Sequence, residues 1–163
     1  MNDKELLDYF SSLGLICELY AHEPVFTAAD GAQLLRAIPG AHCKNLFLKD
    51  KQQNYALVSV LEHKRVDLKN LAINLGSGRF SFGDAENLLK FIGVCPGSVT
   101  PFGLVHDTQK EVKFYLDQDI ANSNIVNFHP LRNDQTVAMS NNMFLKFFDA
   151  INHRPQIIEI PVL

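Results

Sequence analysis

Residues 43–61 read CKNLFLKDKQQNYALVSVL, two apolar runs separated by a polar segment. Each run has the length and apolar content of a buried β-strand, and turn-forming residues fill the segment between them. The stretch therefore predicts strands Cys43–Lys49 and Tyr55–Leu61, joined as a hairpin. Lys44 and Asn45 are unusual in an interior strand, because an ammonium group buried without a partner is costly. The alternative is that Lys44 points into solvent from a half-exposed strand.

Helices and strands mix irregularly on both sides of this hairpin. Apolar residues at helical spacing run from Lys4 to Leu13 and stop before Gly14, and Ser140 is placed to cap a last helix. The sequence has no strict βαβ rhythm, no G-x-G-x-x-G motif and no P-loop. We therefore expect an α/β fold of the α+β type, one domain over residues 1–163 with a mixed, largely antiparallel sheet flanked by helices. Further helices are predicted to begin at Thr27, Asp67 and Asp84, strands at 15–20, 79–82, 111–116, 135–140 and 157–160, and a loop at 93–103.

Composition and charge restrict the class of protein. Of the 163 residues, 47% are hydrophobic and 20% are charged, as in ordinary globular proteins. No apolar run approaches the roughly 18 residues that span a bilayer, and the N-terminus lacks the apolar core of a signal peptide. Three widely spaced cysteines argue against a disulfide framework or a zinc ribbon. We expect a cytoplasmic protein with no membrane partner and no cofactor.

The formal net charge of −3 also bears on nucleic-acid binding. Phosphate contacts dominate the affinity of proteins for long stretches of nucleic acid, and such proteins are normally basic. This chain could therefore bind a nucleic acid only through a local basic patch around one pocket.

The sequence offers few conventional catalytic groups. Ser98 does not lie in a G-x-S-x-G motif, so a pairing of Ser98 with His129 rests on residue types alone. The histidines are scattered, without H-x-x-x-H or H-E-x-x-H spacing, and no metal site is predicted. The remaining histidines are interpreted as surface or turn residues: His22, His42, His63, His106 and His153.

Two further segments look specialised. Residues 93–103 read GVCPGSVTPFG, where glycines allow close approach to a ligand and free backbone N–H groups could bind a carbonyl or an oxyanion. Residues 127–133 read NFHPLRN, where Pro130 biases His129 towards an extended backbone. Asn127, Asn133 and Thr136 supply hydrogen-bonding groups around that histidine. A purely structural histidine is the alternative interpretation.

Together these segments resemble the YbaK/prolyl-tRNA editing domain family, especially its free-standing Ala-tRNA(Pro) deacylases, known as ProXp-ala or PrdX. The resemblance covers nearly the full length of the chain. It is carried by HEPVFT at 22–27, CKNLFL at 43–48, the loop at 93–101, and NFHPLRN at 127–133 leading to Thr136.

The resemblance implies hydrolysis of the ester that joins a wrong amino acid to the terminal adenosine of tRNA(Pro). Lys44 and Asn45 would hold the 3′-terminal nucleotide, Gly97 and Ser98 would hold the aminoacyl carbonyl, and His129 would position the substrate or the water. The attacking water would be assisted by the ribose hydroxyl of the substrate, with no covalent intermediate. Prolyl-tRNA synthetase is a possible partner, besides the acceptor end of tRNA(Pro) carrying a small amino acid.

The family also implies a pocket too small for proline, because a few methylenes give the synthetase only about 1–3 kcal/mol of discrimination. A Cys-tRNA(Pro) or other small-amino-acid deacylase, and a non-catalytic module that binds a tRNA end or a protein, are the alternatives. The candidates for the pocket wall are Val25, Phe26, Thr27, Val60 and the loop residues Gly93, Pro96 and Pro101, and the candidates for the basic patch are Lys44, Lys49, Lys64, Arg65 and Arg79.

Overall fold

A computed structural model describes residues 1–26 and 28–163 of the chain. An eight-stranded sheet lies at its centre, in the order β1-β7-β6-β2-β3-β5-β8, with β4 paired beside β2. The strands are β1 Cys17–Ala21, β2 Ala41–Lys49, β3 Tyr55–Leu61, β4 Ser81–Phe82, β5 Val112–Asp117, β6 Ile125–Phe128, β7 Gln135–Ser140 and β8 Gln156–Ile158.

The sheet is mixed, as predicted. Pairings β1/β7, β6/β7, β2/β3 and β2/β4 are antiparallel, whereas β2/β6, β3/β5 and β5/β8 are parallel. The predicted hairpin is confirmed, with β2 and β3 paired from Cys43 opposite Leu61 to Lys49 opposite Tyr55. The strand predicted at 79–82 is shorter than expected and covers only Ser81–Phe82.

Six α-helices and one 3-10 helix flank the sheet in the described ranges 1–26 and 28–163. The helix start predicted at Asp67 and the caps predicted at Asp84 and Ser140 are confirmed, since each side chain accepts a hydrogen bond from the backbone N–H three residues later. The cap predicted at Thr27 lies outside the described residues. The helices are α1 Asp3–Ser12, α2 Ala28–Ala37, α3 Leu68–Asn74, α4 Ala85–Ile92, α5 Gln118–Ala121 and α6 Asn141–Ala150, with the 3-10 helix at Pro101–His106.

The loop predicted at 93–103 is correct only as far as Thr100. Pro101 begins the 3-10 helix, where its missing N–H costs nothing, and the Thr100 side chain accepts a hydrogen bond from the Phe102 N–H. Helix α5 has only four residues and was not predicted from the sequence.

Two apolar cores lie against the sheet. The larger one contains Leu57 of β3 and a cluster of phenylalanines from the 3-10 helix and α6, including Phe102, Phe144 and Phe148. The smaller one contains Val58 of β3 and residues of α3. Neighbouring residues of β3 point to opposite faces, so both faces of this strand are covered.

Strand β2 has an interrupted edge. On the side away from β3, it pairs with β6 only at Ala41 and His42 and with β4 only at Leu48 and Lys49. In the described part of the chain, no strand pairs with this edge between those points. The loop that follows α4 reaches this gap, and the candidate site lies here.

Candidate functional site

Two adjoining cavities lie beside the gap in β2 and have five lining residues in common: Val25, Cys43, Asn45, Glu62 and His129. The smaller cavity has a volume of about 50 Å³ and is completed by Gly31, His42, Asn127, Phe128 and Thr136. The larger and more open cavity has a volume of about 270 Å³ and is completed by Phe26, Lys44, Gly97 and Val99.

Lys44 is half-buried at the larger cavity. Its ammonium group makes no ion pair or hydrogen bond with any described residue, so its charge is available to a ligand. Burial raises the pKa of the Glu62 carboxyl, and the positive charge of Lys44 offsets part of that rise. A cation and an anion therefore face the same space without being bonded to each other.

Asn45 connects β2 to the loop rather than offering free polar atoms. Its Nδ2 donates to the carbonyl oxygen of Val99 over 3.1 Å, and its Oδ1 accepts from the Ser59 hydroxyl over 2.5 Å. Ser59 is fully buried in β3. Asn45 thus fixes the position of the loop relative to the hairpin.

The loop presents backbone groups to the larger cavity. The Ser98 N–H donates to the carbonyl of Cys95 over 3.0 Å, which closes a turn, and Gly97 within it has a φ of 90°. The N–H groups of Gly97 and Val99 have no hydrogen-bond acceptor among the described residues. Two residues that line the larger cavity together with Lys44 therefore have backbone donors without an acceptor in the described chain.

Gly97 also packs closely against Phe26. A Cβ atom at Gly97 would lie 3.4 Å from Cδ1 of the Phe26 ring, which is itself 71% exposed at the rim. Phe26 thus lies at the entrance of the larger cavity, not at its base.

His129 follows β6 and lines both cavities. Its Nδ1 lies 2.8 Å from the carbonyl oxygen of Gln135, which can only accept, so Nδ1 carries the proton. Burial lowers the pKa of His129, which keeps the ring neutral near pH 7. Its Nε2 therefore has a free lone pair, with no partner in the described ranges.

The interpretation of the other histidines as surface or turn residues is wrong for His42, which lies in β2, and for His153, which is buried, whereas His22 does lie in the loop that follows β1. His22 bonds through Nε2 to the Thr136 hydroxyl over 2.8 Å, and its ring lies 6.2 Å from that of His129. His42 lines the smaller cavity and donates from Nε2 to the carbonyl of Ile38. His153 is buried and lies 2.9 Å from Asp107. The contacts of His22 and His153 span 114 and 46 residues, so sequence spacing could not reveal them.

Glu62 is the lining residue that sequence reasoning missed most clearly. It lies in Leu61-Glu62-His63-Lys64-Arg65, which is typical of a solvated turn. Its backbone N–H donates to the carbonyl of His42 over 2.9 Å, which extends the hairpin pairing by one residue and brings the carboxylate to the cavities. The sequence contained no local signal for this placement.

Several predicted loop residues lie near the cavities without lining them. Ser98 is in the turn but does not line either cavity, and the same is true of Pro96. Gly93 ends α4 with a φ of 67°, and Pro101 is buried at the start of the 3-10 helix. These residues shape the loop.

Other predicted residues are separated from the cavities. Val60 is fully buried in the smaller core. Lys64 is 2.6 Å from both Asp117 and Asp119, so its charge is already paired. Arg79 lines a different cavity beside α3. Thr27 lies outside the described residues.

Within ranges 1–26 and 28–163, no group of three or more His, Cys, Asp and Glu side chains could hold a metal ion. Burial raises the pKa of the Cys43 thiol far above its usual value, which disfavours the thiolate form that a cysteine nucleophile requires. Among the helices in those ranges, none is both long and apolar enough to cross a membrane.

The profile of the aminoacyl-tRNA editing domain matches residues 22–147, which include every residue that lines the two cavities. The chain belongs to this family. The editing-domain family predicted from the four sequence segments is therefore confirmed.

Relatives of this editing domain extend over most of the chain. Prolyl-tRNA synthetase associated domain-containing protein 1 of Xenopus laevis is 38% identical over 160 residues, which are 95% of each chain. The prolyl-tRNA editing protein ProX of Acetoanaerobium sticklandii is 32% identical over 123 residues, 75% of each chain.

The fold of this editing domain is also found in a crystal structure described as a candidate trans-editing enzyme for prolyl-tRNA synthetase. The TM-score is 0.71 at 19% identity, and the match covers 97% of this chain and 95% of the other. At this identity the likeness concerns the fold, and it confirms the predicted fold class.

Proposed function

We propose that this protein is a trans-editing deacylase that hydrolyses the ester of mischarged Ala-tRNA(Pro). The observation that carries the proposal is the set of groups that line the larger cavity, namely unpaired Lys44, the loop amides and neutral His129. Such a set can hold an RNA phosphate, an ester carbonyl and a water molecule side by side. Membership of the editing-domain family supports the same conclusion.

Lys44 holds the 3′-terminal nucleotide in this proposal. An ammonium group binds phosphate or ribose oxygens as a point charge, and Lys44 has no competing carboxylate within ion-pairing distance in the described part of the chain. A single anchoring cation is compatible with the net charge of −3, because only the acceptor end has to be held.

The loop amides stabilise the charge that develops on the ester. As water attacks, the carbonyl oxygen becomes an oxyanion, and the N–H groups of Gly97 and Val99 can donate to it. Asn45 keeps these donors in place through its bond to Val99. This assigns Gly97 a direct role and Asn45 a positioning role.

His129 positions the attacking water or the ribose hydroxyl through the lone pair of Nε2. The water oxygen attacks the carbonyl carbon, the bond to the ribose oxygen breaks, and the ribose oxygen takes up a proton. The products are free alanine and a tRNA with an intact terminal hydroxyl. No enzyme nucleophile is required, because an aminoacyl ester held in place is already reactive towards water.

The volume of the smaller cavity, about 50 Å³, supports the proposed specificity for alanine. Packing of Val25 and Phe128 in its wall limits the side chain that can enter, so proline is rejected by size. Prolyl-tRNA synthetase is the proposed partner, since it produces the mischarged tRNA and figures in the name of the Xenopus laevis relative.

The test is deacylation of Ala-, Cys-, Ser- and Pro-tRNA(Pro) by the purified protein. We expect hydrolysis of the alanyl ester and sparing of the prolyl ester. Lys44→Ala should raise KM, whereas Lys146→Ala, which removes an exposed lysine of α6, should change nothing. Hydrolysis of none of the four esters above background would disprove the proposal, and faster cleavage of Cys-tRNA(Pro) would reassign the substrate.

A further inference from the structure

We infer that Glu62 forms a subsite for the α-ammonium group of the aminoacyl ester, so that the site favours esters whose amino group is free. This inference rests on the proposed function and specifies the substrate class of the same site. It assigns a role to the carboxylate that lines both cavities.

The carboxylate lies beside helix α2. The Glu62 backbone is held by its bond to His42, and a Cβ atom at Gly31 would lie 3.9 Å from both Cδ and Oε1 of Glu62. The carboxylate thus lies over the backbone of α2 at a residue without a side chain. A larger residue at position 31 would approach the carboxylate and narrow the smaller cavity.

The carboxylate has no partner within the described parts of the chain, although it is half-buried. Fully buried carboxylates elsewhere in the protein do have partners, since Asp107 accepts from two backbone N–H groups and Asp117 is paired with Lys64. Removing a carboxylate from water without pairing it is costly. The structure therefore leaves Glu62 suited to a cationic ligand.

A second unpaired acceptor lies in the same region. Asn127 is buried beside the smaller cavity, and its Nδ2 donates to the carbonyls of Pro39 and Ala41. Its Oδ1 has no donor among the described residues. Acceptors therefore lie beside the space proposed for the alanine side chain, which suits an α-ammonium group carried on the same carbon atom.

The charges match the end of an aminoacyl-tRNA. The aminoacyl group carries one cation, its α-ammonium, and the adjoining nucleotide carries an anionic phosphate. Glu62 is the only acidic residue among the described residues that line the two cavities, and Lys44 is the only lysine or arginine there. An ester bound with its amino group at Glu62 and its phosphate at Lys44 pairs both charges.

The test compares Ala-tRNA(Pro) with N-acetyl-Ala-tRNA(Pro), whose amino group carries no charge. The wild-type protein should cleave the free-amine ester at least about tenfold more efficiently, as expected for a charged hydrogen bond. Glu62→Gln should lower kcat/KM for the free-amine ester, mainly through KM, and leave the acetylated ester unchanged. The ratio between the two substrates should therefore fall towards one.

Two further variants separate this effect from a change in folding. Glu62→Asp keeps the charge and should retain part of the preference, whereas Glu159→Gln, at an exposed position, should retain all of it. Equal cleavage of both esters by the wild-type protein, or an unchanged ratio in Glu62→Gln, would overturn the inference while leaving the deacylase proposal intact. Failure to cleave any aminoacyl ester would instead contradict the proposed function.

Discussion

The side-chain amide of Asn45 donates to the backbone carbonyl of Val99, across a sequence distance of 54 residues. The same amide group accepts from the buried hydroxyl of Ser59. One side chain therefore joins both strands of the hairpin to the loop that carries the proposed oxyanion donors.

Asn45→Ala should impair both stability and activity. The substitution leaves the buried Ser59 hydroxyl without its partner, which should reduce the free energy of unfolding by about 1–3 kcal/mol. Adding Ser59→Ala removes the orphaned hydroxyl, so the double variant should recover part of the stability but none of the lost kcat/KM. Denaturant unfolding and deacylation of Ala-tRNA(Pro) measure the two effects. Recovery of activity in the double variant would show that the bond to Val99 is not what positions the loop.

Gly97→Ala tests the loop itself. A φ of 90° is strained for any residue with a side chain, and the new Cβ would lie 3.4 Å from the Phe26 ring. We expect a loss of about 1–3 kcal/mol in the free energy of unfolding and a marked fall in kcat. Gly76→Ala is the matched control, because Gly76 has a φ of 64° with open space around it. It should lose stability to a similar degree and keep full activity.

The pH dependence of stability should report the buried His129. Because burial lowers its pKa in the folded protein, the unfolded chain binds a proton more readily once the pH falls below about 6.5. The contribution of His129 to stability is therefore present above that pH and is lost as the pH falls further. Thermal unfolding of the wild type and of His129→Gln should be compared between about pH 5 and 8. The variant should lose less stability than the wild type as the pH falls. An equal loss of stability in both proteins would mean that His129 is not responsible.

Lys64→Ala should be a stability variant and not an RNA-binding variant. Lys64 pairs with Asp117, which is fully buried at the start of α5, so its removal leaves a carboxylate unpaired in the interior. The expected loss in the free energy of unfolding is about 3–5 kcal/mol. At a temperature where the variant is folded, KM for Ala-tRNA(Pro) should equal that of the wild type. A rise in KM comparable to that of Lys44→Ala would place Lys64 in the RNA interface.

The parts of the fold that were predictable depend on local chemistry. The hairpin follows from two apolar runs and a polar turn, and the caps at Asp67, Asp84 and Ser140 follow from side chains that bond to backbone three residues away. Helix α5 escaped prediction because four residues are too few to show a periodic pattern.

The candidate site was only partly predictable, because cavity walls are made by long-range contacts. Val60 was proposed as a wall residue, but it lies on the face of β3 that packs into the smaller core, whereas its neighbour Ser59 points to the opposite face and bonds to Asn45. Glu62 and Lys64 are two residues apart in one charged run, yet one lines the cavities and the other pairs with Asp117. These roles depend on contacts with residues that are far away in sequence, which the local sequence does not show.

The interrupted edge of β2 gives the two sides of the site different local stability. Lys44 lies in a strand that is paired with β3 over seven successive positions, and its backbone N–H is on the β3 side, so exposing that amide requires the pairing to open. The free N–H groups of Gly97 and Val99 lie in a short loop and are protected only by the tether to Asn45. Amide hydrogen exchange should therefore be slow at Lys44 and fast in the loop, so that the proposed RNA ligand would have a rigid anchor on one side of the cavity and an adjustable loop on the other.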